Sequence, residues 1–312
     1  MIIKIGTRKS QLAQIQTQIV VEKIQKLVPD ARIEICPIMT EGDRRLNQSL
    51  NSFGGKGVFT KELERALLEG EIHMAVHSAK DMPMEFEEGL CLAAAVERAE
   101  WEDMMVTCDG KSIEHMKPGT VIGTGSLRRS LQICRINPGL ITKDIRGNVQ
   151  TRLQKLESGM YEGIILARAG VERLRRAGSD RNFLDRFFYE PLSLDQCIPA
   201  AGQAILAVET SKRALLDPEF ASLCEKLNDA DVWQQLMAER SFLKRMNGGC
   251  NAPACAFSWI DKGRFYIRGG FSADSRGMIY DEVSGDVCSG EALGAELAER
   301  LWNRGQMEDG GK

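Results

Sequence analysis

One local pattern occurs twice in this chain, and it limits the folds open to it. Ile2-Ile3-Lys4-Ile5 is a short apolar run, followed by Gly6-Thr7-Arg8-Lys9-Ser10 and then an amphipathic stretch. Val121-Ile122-Gly123 is followed in the same way by Thr124-Gly125-Ser126-Leu127-Arg128-Arg129-Ser130. Such short apolar runs suit buried strands and are too brief for helices. Glycine permits a sharp turn, and serine suits the N-cap of a following helix. After the first copy, Leu12, Ile15, Ile19, Ile24 and Leu27 share a helical face, and Pro29 stops the helix. Arg32–Ile38 reads as the next strand. This order predicts βαβ units and largely parallel sheets, with each turn at the carboxyl end of its sheet, where open α/β folds bind ligands.

The arginines follow the same logic. Arg8, Arg128, Arg129, Arg146, Arg152 and Arg173 all fall just beyond predicted strand ends. Guanidinium groups grip carboxylate or phosphate in bidentate fashion. A solvated face accounts for one or two of the five from Arg128 to Arg173, whereas a confined anionic ligand accounts for them together. Arg8, beside the N-cap Ser10, is by itself either a plain surface charge or an anion contact at a helix start. Ile72–Val76 reads as a strand running into His77-Ser78-Ala79-Lys80-Asp81-Met82-Pro83. There Asp81 is either a catalytic carboxylate or a turn aspartate beside a solvated lysine. Residues 41–57 are polar and rich in Gly, Asn and Ser, and read as a long mobile loop or lid. Gly54-Gly55-Lys56-Gly57 lacks the full phosphate-loop pattern, which disfavours nucleotide binding. Thr60 is expected to cap the next helix, and Glu97–Asp103 reads as a crossover or hinge.

With 312 residues, two or three domains are expected. A net charge of −3 argues against broad nucleic-acid binding. The nine scattered cysteines read as reduced thiols of a cytoplasmic protein. No export signal or membrane-spanning run is expected. A third region after Lys212 reads as helices over an antiparallel sheet, with strands near Ala256–Ile260, Arg264–Arg268 and Met278–Asp281. One of its helices, with Asp231 as expected N-cap, runs into Asn247-Gly248-Gly249-Cys250. A thiol on a loop past a helix end suits a reactive or modified cysteine better than packing does. His73, His77 and His115 lie far from it in sequence, so neither a metal site nor a cysteine–histidine hydrolase is indicated.

These motifs together resemble the porphobilinogen deaminase (hydroxymethylbilane synthase) family over nearly the whole chain. The resemblance rests on Thr7–Ser10, Gly54–Glu64, Val76–Pro83, Gly123–Arg129, Arg146–Arg152, Ala238-Glu239-Arg240 and Gly248-Gly249-Cys250. It implies an α/β fold with two periplasmic-binding-protein-like domains around a cleft and a small α+β C-terminal domain. The implied domains are 1–97 with 197–215, 98–196, and 216–312. The implied activity joins four porphobilinogen units head to tail with loss of ammonia and releases hydroxymethylbilane. It is primed on a dipyrromethane cofactor held through a thioether to Cys250. Asp81 carries over as the catalytic carboxylate. Arg8, Ser10, Lys80, Thr124, Ser126, Arg128, Arg129, Arg146, Arg152, Arg173 and Gln203 carry over as cofactor or substrate contacts, and Lys56 and Phe59 as members of the mobile loop. The partner is the small molecule porphobilinogen, with no nucleic acid, membrane or metal, and the family suggests a monomer. Gln11, Gly125, Arg168 and Ala204 depart from the family's usual residues. A two-lobed binding protein for a polycarboxylate or phosphate would explain the arginines but not the Gly-Gly-Cys loop.

Overall fold

A computed structural model describes residues 1–40, 60–178, 181–246, 253–272 and 277–309. The elements begin with β1 (Ile2–Arg8), α1 (Gln11–Leu27), β2 (Arg32–Ile38), α2 (Lys61–Leu68), β3 (Met74–Ser78) and β4 (Leu90–Arg98). Next come β5 (Asp103–Thr107), β6 (Val121–Gly123), α3 (Leu127–Ile136), β7 (Ile141–Lys143) and α4 (Val149–Glu157). β8 (Gly163–Ala167), α5 (Arg168–Arg176), α6 (Arg181–Leu184) and β9 (Phe188–Pro191) follow. The remainder holds β10 (Ile205–Ser211), α7 (Pro218–Leu227), α8 (Ala230–Met246), β11 (Ala254–Asp261), β12 (Arg264–Phe271), β13 (Ile279–Asp286) and α9 (Gly290–Asp309).

The chain divides into two compact units. The first is Met1–Ala99 with Ala204–Trp233, and the second is Glu100–Gln203 with Gln234–Lys312. The first contains a sheet of order β2-β1-β3-β10-β4. β1 pairs in parallel with β2 and β3, whereas β10 is antiparallel to both β3 and β4. The sheet is therefore less uniformly parallel than the local pattern predicts, because its fourth strand returns from the distant segment after Gln203. Ile3, Ile5, Val20, Ile24, Met74, Val76, Leu206, Val208 and Phe220 fill one face of it. Gly6 lets that sheet receive its neighbours closely. A Cβ there would lie 2.4 Å from Ile72 Cδ1 and 2.8 Å from Leu63 Cδ2.

The second unit holds a sheet of order β7-β6-β8-β5-β9, parallel at β6–β7 and β6–β8 and antiparallel at β5. It also holds an antiparallel meander, β11-β12-β13. Phe242, Met246, Leu293, Leu297 and Leu301 from α8 and α9 pack with Phe265, Ile267, Phe271 and Val283 of that meander. Two mixed α/β sheets and a small helix-covered antiparallel sheet make up the expected fold class. Where α8 begins, the cap is Asp229 and not Asp231: its Oδ1 accepts from the amides of Asp231 (3.0 Å) and Val232 (3.1 Å). Thr60 precedes α2 but its side chain makes no capping hydrogen bond.

Candidate active site

In the first unit, the polar residues gather at the carboxyl edge of β1 and β3. The two strands are parallel, with Ile5 opposite Met74, so Arg8 and the Lys80-Asp81 turn leave the sheet on the same side. Ser10 caps α1 as expected, in an extended conformation, its Oγ accepting from the Ala13 amide at 3.4 Å. Thr7, fully buried, donates to the Ala13 carbonyl at 3.2 Å and so ties the strand end to the helix start. Gln16 Nε2 donates to Ser78 Oγ at 2.8 Å, joining α1 to the end of β3. Lys80 and Asp81 occupy the short 3-10 turn after β3, and both are exposed.

Beneath that edge lies a buried acidic group of side chains. His77 Nε2 and Glu209 Oε2 are 3.0 Å apart, with both side chains almost wholly buried. The pair is close enough for an ion pair but is not aligned as a hydrogen bond. Glu64 of α2, also buried, has its carboxyl raised by burial, reinforced by the charges of Glu209 and Glu87 and opposed by Thr60 and His77.

In the second unit, α3 starts at the second copy of the turn. Ser126 caps it, accepting from the Arg129 amide at 3.4 Å. Thr124 is buried and accepts from the Ser126 amide at 3.2 Å. A Cβ on Gly125 would stand 2.5 Å from Asp144 Oδ1. A serine there would therefore displace the Asp144 carboxylate, which holds Arg146 Nε at 2.9 Å. Arg152 Nε donates to the Gly147 carbonyl at 2.8 Å, and Gly147 takes the left-handed φ of +114° that a side chain would strain. Arg173 is buried on α5. Arg168 is paired with Glu102 at 2.8 Å.

Arg128 and Arg129 converge on one buried carboxylate that sequence reading assigned to a hinge. Asp103 opens β5 and is fully buried. Its Oδ2 lies 2.8 Å from Arg128 Nη2, and its Oδ1 accepts from Arg129 Nη2 at 2.7 Å and Nε at 3.2 Å. Gln203 Nε2 donates to the same Oδ1 at 2.9 Å and to the Trp101 carbonyl at 2.8 Å. Arg128 Nη1 also reaches the Ile198 carbonyl (2.7 Å), and Arg129 Nη1 the Ile165 carbonyl (3.2 Å). Burial alone would raise the Asp103 carboxyl. The Arg128 and Arg129 charges, with hydrogen bonds from Arg129 and Gln203, outweigh it and hold the group well below the usual carboxylate range. Removing one partner from such a buried pair typically costs about 3–5 kcal/mol.

Glu239 anchors the neighbouring segment. Its Oε2 accepts from the Gly202 amide at 2.6 Å, and its Oε1 from the Ser258 amide (2.9 Å) and hydroxyl (2.8 Å). It sits on α8, the helix that leads toward Cys250. Cys250, Lys56, Phe59 and the predicted loop of residues 41–57 lie outside the described residues. Burial pushes the Cys197, Cys224 and Cys255 thiols up to about 12, so none is a thiolate at neutral pH. A separate cavity of about 300 Å³, lined by Arg135, Asp195, Arg268, Tyr280 and Glu282 among others, contains none of the predicted residues.

Comparison with known proteins matches residues 3–215 to "Porphobilinogen deaminase, dipyromethane cofactor binding domain" and residues 233–303 to "Porphobilinogen deaminase, C-terminal domain". A porphobilinogen deaminase of Acetivibrio thermocellus is 42% identical over 302 residues, 96% of this chain and 97% of the relative. One from Alkaliphilus metalliredigens is 38% identical over 307 residues, 98% and 94% of the two chains. One from Brevibacillus brevis is 38% identical over 304 residues, 97% and 94%. Matches of that identity over nearly the whole length, on a fold of the expected class, show that the chain belongs to the porphobilinogen deaminase family.

Proposed function

We propose that this protein is a hydroxymethylbilane synthase, a transferase that joins four porphobilinogen units head to tail with loss of four ammonia molecules. Hydrolysis then releases the linear tetrapyrrole. The observation that carries the reading furthest is the Arg128–Arg129 cluster. One carboxylate faces two guanidinium groups there, so the cluster keeps an excess positive charge although it is nearly buried. Each guanidinium has five N–H donors. Part of each fork remains unengaged among the described residues. Pyrroles bearing acetate and propionate arms supply the carboxylates such donors suit.

The donor set likewise fits a dipyrromethane, which carries four carboxylates. When bound, that group supplies the pyrrole terminus to which each new unit is added. Cys250 would hold it through a thioether. Arg8, Ser10, Lys80, Thr124, Ser126, Arg128, Arg129, Arg146, Arg152, Arg173 and Gln203 would bind its arms and those of the substrate. Asp81 would assist protonation of the departing amine and stabilise positive charge on the pyrrole. Loss of a single stabilising group of that kind costs about 3–4 kcal/mol of barrier, roughly a hundredfold to a thousandfold in rate. We further assign the protein to the cytoplasm as a monomer, organised as 1–97 with 197–215, 98–196, and 216–312, with Lys56 and Phe59 in a loop that covers the substrate.

Intact mass measurement of the wild type beside Cys250→Ser tests this reading. The wild type should be heavier by about two pyrrole units, with Cys250→Ser unmodified and inactive. Asp81→Ala should keep the added mass and lose nearly all turnover. An unmodified wild type that also takes up no mass on incubation with porphobilinogen would overturn the reading.

A further inference from the structure

Asp103 was not among the residues expected at the site, yet more of the arginine geometry depends on it than on any other group. Arg128 and Arg129 are consecutive in α3, and consecutive helical side chains leave the axis about 100° apart and do not face each other. Their guanidinium groups come together because both close on Asp103. The Ile198 and Ile165 carbonyls hold their outer nitrogens, and Gln203 holds Asp103 itself. Among the described residues, one carboxylate meets two guanidinium groups here, and part of each fork makes no hydrogen bond to it or to the Ile198 and Ile165 carbonyls and the Cys197 sulfur.

We propose that Asp103 is a positioning residue of the reaction, fixing the forks of Arg128 and Arg129 so that their remaining N–H groups meet the carboxylate arms of cofactor and substrate. The proposal rests on reading those two arginines as carboxylate contacts. Asp103 touches neither substrate nor cofactor in this scheme. It cancels one of two adjacent positive charges and leaves the other to a ligand. In the Asn variant the amide would turn N–H groups toward one arginine, releasing that fork. In the Glu variant the charge is kept and the acceptor is displaced by one methylene.

The test uses full-length protein expressed with its cofactor: wild type, Asp103→Asn, Asp103→Glu and Arg128→Gln. Steady-state kinetics with porphobilinogen would be measured beside intact mass and thermal unfolding. Losing a charge-assisted hydrogen bond predicts a KM rise of about tenfold to a hundredfold in Asp103→Asn. A smaller change is expected in kcat, with a lower fraction of chains carrying the added mass. Asp103→Glu should fall between wild type and Asp103→Asn. A lower melting temperature in Asp103→Asn with unchanged KM and occupancy would reduce Asp103 to architecture and overturn the proposal, as would a KM that falls. Wild-type KM and occupancy in Arg128→Gln would overturn the arginine reading itself. Impairment in Arg128→Gln but not in Asp103→Asn would sink the Asp103 proposal alone. Should Asp103→Asn fail to fold, Asp103→Glu decides: a KM raised several-fold at a near-normal melting temperature supports the proposal, and an unchanged KM refutes it.

Discussion

Gly294→Ala is expected to loosen the packing of α8, the helix that precedes Cys250 in the sequence. Gly294 lies in α9 against α8. A Cβ built on it would stand 2.1 Å from the Ala238 carbonyl oxygen and 2.9 Å from its carbonyl carbon. Real Cβ atoms essentially never approach closer than 3.0 Å, so the oxygen contact is short by about 0.9 Å. The obstacle is helical backbone, which cannot swing aside as a side chain would. Overpacking of this kind costs typically 1–3 kcal/mol, and a backbone clash belongs near ~3 kcal/mol. Replacing an interior helical glycine with alanine returns about 1 kcal/mol in propensity. The net expectation is a loss of about 2 kcal/mol. Gly305→Ala, in the same helix, is the control. Its new methyl would meet only side chains, with Phe271 Cε1 nearest at 3.3 Å. That variant should be neutral or more stable by up to ~1 kcal/mol. Urea unfolding followed by circular dichroism measures both. A Gly294→Ala protein as stable as Gly305→Ala would refute the close-packing argument.

Two further substitutions follow from particular side chains and backbone angles. Glu64 has its carboxyl raised by burial, so the folded chain holds that proton more tightly than the unfolded one; the resulting stability is present in acid and lost as pH rises through the folded value. Glu64→Gln should therefore be more stable than wild type at pH 7 and indistinguishable from it below the ordinary glutamate range near pH ~4, and equal stabilities at pH 7 would contradict the assignment. Ala204 holds a left-handed φ of +71°, which costs a non-glycine residue roughly 1–2 kcal/mol. Ala204→Gly should recover about 0.5–1 kcal/mol after the extra unfolded-state entropy of glycine, and a measured loss of stability would show that the methyl is needed.

These cases show what local pattern discloses and what it hides. The two strand–turn–helix copies were readable because Ile3 and Ile5 need burial and Ser10 and Ser126 need helix amides to accept from. Ala204 was readable as an odd residue beside Gly202-Gln203, but its left-handed backbone was not. Asp103 was hidden outright. It is an acidic residue in a charged stretch, and two guanidinium groups arriving from α3, with the Gln203 amide, make its burial tolerable. Nothing within a short window of sequence announces such a partner. The direction of β10 was hidden for the same reason, since it depends on where a distant segment re-enters the sheet. The placement of the arginines after strand ends was legible by type and spacing, while the convergence of two of them on Asp103 required the fold.

The insertion of β10 between β3 and β4 has a consequence for biosynthesis. Those two strands do not pair with each other; each waits for a segment that leaves the ribosome about a hundred residues later. At ordinary elongation rates that delay is on the order of ten seconds. Throughout it, the nascent first unit presents one edge of β3 and the whole of β4 unpaired, the kind of template on which chains stick together. Demand for trigger-type and cage-type chaperones should therefore peak before Ser211 emerges and fall once the sheet closes. Truncations ending between β4 and β10 should be the most aggregation-prone products of this chain.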